Sequence, residues 1–128
     1  MKYGRHIRMK NVLIVDDSRT SRRILKDILE RADYSIVGEA INGKEGVDLY
    51  KKLQPDIVTM DITMPEMDGI EALKQIRKEF PDAKVVMITA AGQKDKMMEA
   101  VKLGAAEFVS KPFVEETVLD AMEHCFKE

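Results

Sequence analysis

Five short apolar runs alternate along the chain with longer segments in which apolar residues recur every three or four positions. The runs cover residues 11–15, 35–40, 57–61, 84–89 and 107–110, and most are rich in β-branched residues, which is typical of buried strands. The segments between them have helical spacing, as in Ile24, Leu25, Ile28, Leu29 and Ala32. This alternation predicts an α/β fold, a five-stranded parallel sheet with helices on both faces.

Polar residues with helix-capping side chains mark where three of the helices begin. Ser18 precedes the first helical segment, and the pairs Asn42–Glu45 and Asp68–Glu71 have the spacing of capping boxes. The loops between elements are short and no linker interrupts the pattern. Residues 11–128 are therefore predicted to form one domain.

Composition limits the classes of protein to consider. With 128 residues and a net charge of −2, the chain predicts one domain without a general nucleic-acid-binding surface. No apolar stretch is long enough to span a membrane, and the single cysteine, Cys125, fits a reducing compartment, so we expect a cytoplasmic protein. Residues 1–10 carry basic side chains and no apolar core, which predicts a flexible extension rather than a secretory signal.

Residues with charged or hydroxyl side chains stand at the ends of four predicted strands. They are Asp16 and Asp17 after the first strand, Asp61 at the end of the third, Thr89 at the end of the fourth and Lys111 after the fifth. Parallel strands bring their carboxyl ends to one edge, where α/β proteins place their ligand sites. Converging carboxylates repel one another and suit a hard divalent cation such as Mg²⁺. With a hydroxyl and an ammonium group beside them, they predict a site that can hold a phosphoryl group on a carboxylate oxygen.

These strand-end residues occur in an order that is specific to one family. The order is Asp16-Asp17, then Asp61 with Met-Pro-Glu-Met-Asp-Gly behind it at 64–69, then Thr89, then Lys-Pro-Phe at 111–113. Over about residues 11–127 the chain resembles the receiver domain of bacterial two-component response regulators, and among them the single-domain chemotaxis regulators. The resemblance implies a doubly wound, flavodoxin-like sheet with the strand order 2-1-3-4-5.

The resemblance also implies a magnesium site. Asp61 would be the phosphoacceptor, and Asp17, Asp61 and the backbone carbonyl of Thr63 would bind Mg²⁺ directly. Asp16 would hold the ion largely through water. Backbone N–H groups near Thr63 and Ala90 would contact the phosphoryl oxygens. Chemotaxis regulators have Asn where this chain has Thr63, a departure that bears on phosphoryl lifetime and on the phosphatase partner.

The remaining roles that the resemblance implies concern how the phosphoryl group is held and sensed. Lys111 would pair with Asp61 and then with the phosphoryl oxygens, and the Lys111–Pro112 bond would be cis. Thr89 would hydrogen-bond the phosphoryl group. Thr89 and Phe108 would form a switch that changes the surface of the fourth helix, fifth strand and fifth helix.

We therefore expect a phosphorylation-activated response regulator that acts in chemotaxis. A histidine kinase would supply the phosphoryl group, the changed face would bind an output protein such as the flagellar motor switch, and a phosphatase is a further expected partner. The protein would be a monomer and would catalyse only its own phosphorylation and dephosphorylation. Met97 and Leu119 are apolar candidates for the output face, although helical spacing equally allows them to pack in the core.

Other interpretations of the same pattern are open. A phosphate carrier or sink in a phosphorelay would use the same site with a different output. A Mg-dependent phosphohydrolase usually has Asp-x-Asp on one loop, and an FMN protein needs a hydroxyl-rich loop after the first strand; the chain has neither. The run Gly38–Glu45 is similar to a nucleotide-binding P-loop, but Glu45 stands where that motif needs Ser or Thr.

Overall fold

The structure, a computed structural model, describes residues 9–127, and strands and helices alternate throughout that range. The strands are β1 (Asn11–Val15), β2 (Ser35–Ala40), β3 (Ile57–Asp61), β4 (Val85–Thr89) and β5 (Glu107–Ser110). The helices are α1 (Arg19–Arg31), α2 (Gly43–Leu53), α3 (Gly69–Glu79), α4 (Lys94–Lys102) and α5 (Glu115–Phe126). Within the described residues, none of these helices is long and apolar enough to cross a membrane.

The strands form one parallel sheet in the order β2-β1-β3-β4-β5. The predicted fold class and strand order are therefore confirmed. Val15 of β1 pairs with Met60 of β3, and Thr89 of β4 pairs with Ser110 of β5. Because these pairs lie at the carboxyl ends of their strands, the loops that follow leave the sheet side by side along one edge.

Alternate residues of the central strands fill two apolar cores, one on each face of the sheet. Ile14 and Ile88 belong to the core beneath α1 and α5, whereas Leu13 and Met87 belong to the core beneath α2, α3 and α4. None of these four side chains is more than 2% exposed. Full burial of such a side chain contributes roughly 1.5–3 kcal/mol, so packing on both faces fixes the positions of the strand ends.

Three helices begin with the side-chain caps that the sequence predicts. Each cap accepts a hydrogen bond from the backbone N–H three residues further on. The caps are Ser18 at 3.2 Å, Asn42 at 2.8 Å and Asp68 at 2.9 Å. Caps of this kind are each worth about 1 kcal/mol and fix where the strand-to-helix loops end.

The apolar face of α1 differs from the predicted one, whereas the packing of α4 and α5 decides between the two alternatives left open for Met97 and Leu119. Ile24 is exposed, and the buried face of α1 consists of Leu25, Ile28 and Leu29. Met97 and Leu119 are half-buried and pack against the two cores, whereas Met98 is the exposed methionine of α4. Helical spacing predicts an apolar stripe but does not determine which of two adjacent residues lies at its centre.

The predicted flexible extension, residues 1–10, lies outside the described residues except for Met9 and Lys10. The Lys10 carbonyl accepts a hydrogen bond from the Ser35 N–H at 2.9 Å. The hydrogen bonding between the first two strands therefore reaches one residue ahead of β1.

We expect Gly69→Ala to destabilise the fold strongly, because Gly69 packs directly against the backbone of β3. A Cβ at this position would lie 2.0 Å from the carbonyl oxygen of Asp61. The loss should be about 3 kcal/mol or more in the free energy of unfolding, measured by urea denaturation. Gly92→Ala is the control. The backbone at position 92 favours glycine because its φ is 84°, but no atom lies within 4 Å of the position that a Cβ would take. The control should lose about 1 kcal/mol, and equal losses would contradict the steric argument.

Candidate functional site

Three carboxylates meet at the edge of the sheet where β1 and β3 end. Asp16 and Asp17 follow β1, and Asp61 is the last residue of β3. One oxygen from each carboxylate lies within 4.8 Å of the other two. Since Val15 pairs with Met60, the residues that follow them fall next to each other. The structure thus brings together the acids that the strand pattern predicts to meet.

Asp16 is buried and is held by its own loop and by α1. Its Oδ1 accepts a hydrogen bond from the Ser18 N–H at 2.8 Å. Arg22 Nη1 donates to the Asp16 carbonyl oxygen at 2.8 Å, while Arg22 Nε donates to Glu39 Oε1 at 3.0 Å. Arg22 is absent from the predicted site residues, because nothing in the sequence distinguishes it from the other arginines of α1.

Lys111 supplies the positive charge in this cluster. The backbone N–H of Lys111 donates to the Thr89 carbonyl at 2.8 Å, and the Lys111–Pro112 bond is cis, as expected. Lys111 Nζ lies 3.0 Å from Asp16 Oδ2 and 3.7 Å from Asp61 Oδ1. The predicted ion pair with Asp61 is present, but the shorter one is with Asp16. One ammonium group therefore faces three carboxylates.

Thr89 and Phe108 lie on the strands beyond β3. Thr89 is buried at the end of β4, and it reaches the same edge as Asp61 because Asp61 pairs with Ile88. Phe108 pairs with Met87, so it lies below the edge. Its half-buried ring packs against the core beneath α2, α3 and α4.

Gln93 joins the loop after β3 to the loop after β4. Its Nε2 donates to Thr63 Oγ1 at 2.7 Å, and its Oε1 accepts a hydrogen bond from the Ala90 N–H at 2.6 Å. The Thr63 hydroxyl and the Ala90 N–H are thus both engaged. Gln93 is not among the predicted site residues, since a glutamine ahead of a weakly amphipathic helix carries no signal of its own.

The negative charge of Asp61 is poorly stabilised in the folded protein. Asp61 is 8% exposed, and its burial, followed by the neighbouring Asp16 carboxylate, raises its pKa to about 6, against an opposing effect of Lys111. The raised pKa means that the folded protein disfavours the ionised form of this carboxyl group. Acids perturbed in this way are concentrated at functional sites.

The donor set fits a hard divalent cation. The candidate ligand atoms are all oxygens, and their carboxylates carry more negative charge than Lys111 can balance. Asp17 is exposed and opens the cluster to solvent, whereas Asp16 and Asp61 are buried. Among residues 9–127, no other group of acidic, histidine or cysteine side chains forms such a cluster.

The P-loop-like run is a strand followed by a helix start. Gly38 lies within β2, and Glu45 Oε1 accepts a hydrogen bond from the Ile41 N–H at 3.0 Å. With that side chain engaged in a capping box and no loop around Gly38, the run does not form a phosphate-binding cradle.

Residues 12–123 match the family model of the response regulator receiver domain. The chain belongs to this family. The receiver domain is 52% identical over 118 residues to the chemotaxis protein CheY of Thermotoga maritima, covering 92% of this chain and 98% of that protein. It is 47% identical to CheY of Bacillus subtilis, covering 87% of this chain and 92% of that one. It is also 52% identical over 114 residues to protein CcdB of Bacillus subtilis, covering 89% of this chain and 95% of that protein.

Solved structures agree with this family assignment. A CheX–CheY–BeF3–Mg+2 complex from Borrelia burgdorferi matches the receiver domain with a TM-score of 0.89 and 38% identity. The match covers 93% of this chain and 90% of the other.

Removal of the Asp61 charge should stabilise the metal-free receiver domain in a pH-dependent way. The pKa of Asp61 is raised from 3.8 to about 6, so the folded protein binds this proton more tightly than the unfolded chain. Stability is therefore lost as the pH rises from about 4 through about 6. Asp61→Asn should avoid that loss and raise the free energy of unfolding by roughly 2–3 kcal/mol at neutral pH, and by little near pH 4.

Urea denaturation of both proteins in a chelator, across this pH range, measures the difference. Asp82→Asn, which changes an exposed acid in the turn before β4, is the control. A difference between wild type and Asp61→Asn that does not vary with pH would contradict the electrostatic argument.

Proposed function

We propose that this protein is a response regulator that receives a phosphoryl group on Asp61 from a histidine kinase and signals in chemotaxis. The observation that carries the proposal is the setting of Asp61, which is buried at the sheet edge beside the Asp16 carboxylate and the Lys111 ammonium group. Membership of the receiver family and relatives named chemotaxis protein CheY support it.

The transfer step forms one bond and breaks another. A carboxylate oxygen of Asp61 attacks phosphorus in line, the bond from phosphorus to the donor imidazole nitrogen breaks, and that imidazole takes up a proton. Lys111 Nζ, 3.7 Å from Asp61 Oδ1, is placed to balance the charge of the phosphoryl oxygens. The Thr89 hydroxyl and the Ala90 N–H supply donors from the neighbouring strand end.

Asp16, Asp17, Asp61 and the carbonyl of Thr63 would hold a Mg²⁺ ion at this edge. Bound Mg²⁺ supplies positive charge that offsets the carboxylates and the phosphoryl oxygens. Asp17 offers the ion its entry from solvent, because it is the exposed member of the cluster. Asp16 is already paired with Lys111 and Ser18, which fits a more distant role through water.

The same site would also release the phosphoryl group. A water molecule attacks phosphorus, the bond to the Asp61 oxygen breaks, and inorganic phosphate leaves. The protein then acts only on itself and turns over no external substrate. Thr63, which stands where chemotaxis regulators have Asn, would influence the lifetime of the phosphorylated state.

The output face would consist of α4, β5 and α5. Val101 and Met98 of α4 are apolar and exposed, and Phe108 of β5 is half-buried. Exposed apolar side chains on a helix suit contact with an amphipathic partner helix. Movement of Thr89 toward the phosphoryl group would leave space for the Phe108 ring and change this face.

The rest of the proposal concerns partners and location. Residues 11–128 would act as one monomeric domain in the cytoplasm, between a histidine kinase and the flagellar motor switch, with a phosphatase as a further partner. The CheY of Borrelia burgdorferi was crystallised with CheX, which supports binding of a protein partner. CcdB of Bacillus subtilis is as similar to this chain as CheY of Thermotoga maritima, at 52% identity each. Sequence identity therefore supports the receiver chemistry more strongly than it supports the choice of output partner.

Incubation with Mg²⁺ and a small acyl phosphate should label the protein at one residue, Asp61, because Asp16 is already held by the Ser18 N–H and by the shorter contact with Lys111. Intact and peptide mass spectrometry measure the label. Asp61→Asn should remove it, and Asp17→Asn should weaken Mg²⁺ binding about tenfold or more. Asp82→Asn should behave as wild type. Full labelling of Asp61→Asn would show that the phosphoacceptor is another residue.

Val101→Ser should weaken binding to the flagellar motor switch protein without preventing phosphorylation. Val101 is 60% exposed on α4, and loss of its apolar surface should reduce affinity about fivefold. Calorimetric titration with beryllofluoride and Mg²⁺ measures the change. Val37→Ser is the matched control, 36% exposed on β2 at the opposite edge of the sheet. Equal losses in both variants, or none, would exclude α4 from the output face.

A further inference from the structure

Gln93 bridges the loops that follow β3 and β4. Its carboxamide accepts the Ala90 N–H at 2.6 Å and donates to Thr63 Oγ1 at 2.7 Å. The Ile62 N–H donates to the Ile88 carbonyl at 3.2 Å, so the pairing of β3 with β4 continues one residue past the end of β3. Thr63 and Ala90 lie directly beyond that last hydrogen bond, and the Gln93 side chain closes the gap between them.

Gln93 accepts a hydrogen bond from the Ala90 N–H, and a phosphoryl group on Asp61 would accept a hydrogen bond from the same N–H. The Ala90 N–H belongs to the residue directly after Thr89, and the resemblance to receiver domains assigns it as a donor to the phosphoryl group on the β4 side of the site. A backbone N–H makes one strong hydrogen bond, so a phosphoryl oxygen and Gln93 Oε1 compete for it. We propose that Gln93 is a latch: it holds the Ala90 N–H while Asp61 is unmodified and releases it when the phosphoryl group arrives. The proposal rests on the proposed phosphorylation of Asp61.

Release of the latch would change the start of α4. Gln93 is the residue immediately before α4, yet its side chain turns back to its own loop and makes no cap hydrogen bond to the helix. A second link from α4 to the loop after β3 is an ion pair between Lys96 and the cap of α3, Asp68, at 3.7 Å. That pair is partly exposed and weak, so Gln93 makes the stronger attachment. Once free, its carboxamide oxygen can accept from the unsatisfied N–H groups of the first turn of α4.

The loop between β4 and α4 has room for this change. Ala90 and Ala91 are exposed, and Gly92 has no atom within 4 Å of its Cβ position. Small side chains with open space around them can rearrange without disturbing either core.

Beryllofluoride with Mg²⁺ is the probe that tests the latch. Gln93→Ala should bind it about two- to tenfold more tightly than wild type, because the variant loses the two bridging hydrogen bonds of the unmodified state but only the one cap hydrogen bond of the occupied state. Gln75→Ala is the matched control: Gln75 is a half-buried glutamine of α3 that donates to Glu71 at 3.0 Å, away from the site. The control should bind as wild type does.

A second measurement separates the latch from a general loss of structure. In Gln93→Ala without beryllofluoride, the chemical shift of the Ala90 amide proton should change in the direction expected for a weaker hydrogen bond. The chemical shifts of residues in both cores should stay unchanged. Thr63→Val removes the other anchor of the latch. Its effect on beryllofluoride affinity should shrink in the Gln93→Ala background, because both substitutions break the same bridge.

The outcomes distinguish the latch from the proposed function. If wild type does not bind beryllofluoride, or if Asp61→Asn binds it equally well, phosphorylation at Asp61 is wrong. If binding depends on Asp61 but Gln93→Ala binds no more tightly than Gln75→Ala, the latch is wrong. Weaker binding by Gln93→Ala, with the core resonances unchanged, would make Gln93 a ligand of the phosphoryl group and would also overturn the latch.

Discussion

The crowding of negative charge at one edge of a parallel sheet is the constraint on which the rest of this site depends. The register of β1 and β3 holds three carboxylates within 4.8 Å of one another. Two like charges 4 Å apart repel by roughly 4 kcal/mol at an effective dielectric constant of about 20. The protein tolerates this repulsion because dense packing on both faces of the sheet fixes the strand ends. The raised pKa of Asp61 reflects its burial first and the repulsion by Asp16 second.

Compensation within the cluster is unequal, and the inequality suits the proposed chemistry. Asp16 receives the Ser18 N–H and the shorter contact from Lys111, whereas Asp61 has the longer contact. Asp16 thereby holds the Lys111 ammonium group beside Asp61, while the charge of Asp61 stays only partly balanced. The result is a buried carboxylate with an unsatisfied demand for positive charge, which couples its reaction with a phosphoryl group to the binding of a cation.

Much of this fold could be predicted from the sequence because the decisive signals are local. The β-branched runs end at turn acids, and Asn42 and Asp68 cap helices through hydrogen bonds to backbone only three residues away. The meeting of Asp16 with Asp61 required one further step, the rule that parallel strands share a carboxyl edge, and the family resemblance supplied the strand order.

The remaining features depend on tertiary distances that no local pattern contains. Whether Lys111 lies closer to Asp16 or to Asp61 is decided by differences smaller than 1 Å. Met97 and Met98 are adjacent in sequence, and the rotation of α4 against the sheet determines which is exposed. Gln93 belongs to the same class, because its bridge exists only once the loops after β3 and β4 are side by side.

The two sides of the site are held by different forces, and this determines which side can respond. The side formed by β1 and β3 is fixed by buried carboxylates and an ammonium group, whose separation would leave uncompensated charge. The side formed by the loop before α4 is held by two neutral hydrogen bonds near the surface, which open at far lower cost. A glutamate at position 93 could accept the Ala90 N–H but could not donate to Thr63, and its charge would oppose the phosphoryl group. A neutral carboxamide can do both and adds no charge to an edge already crowded with it. The signal should therefore leave the site through α4 rather than through α1.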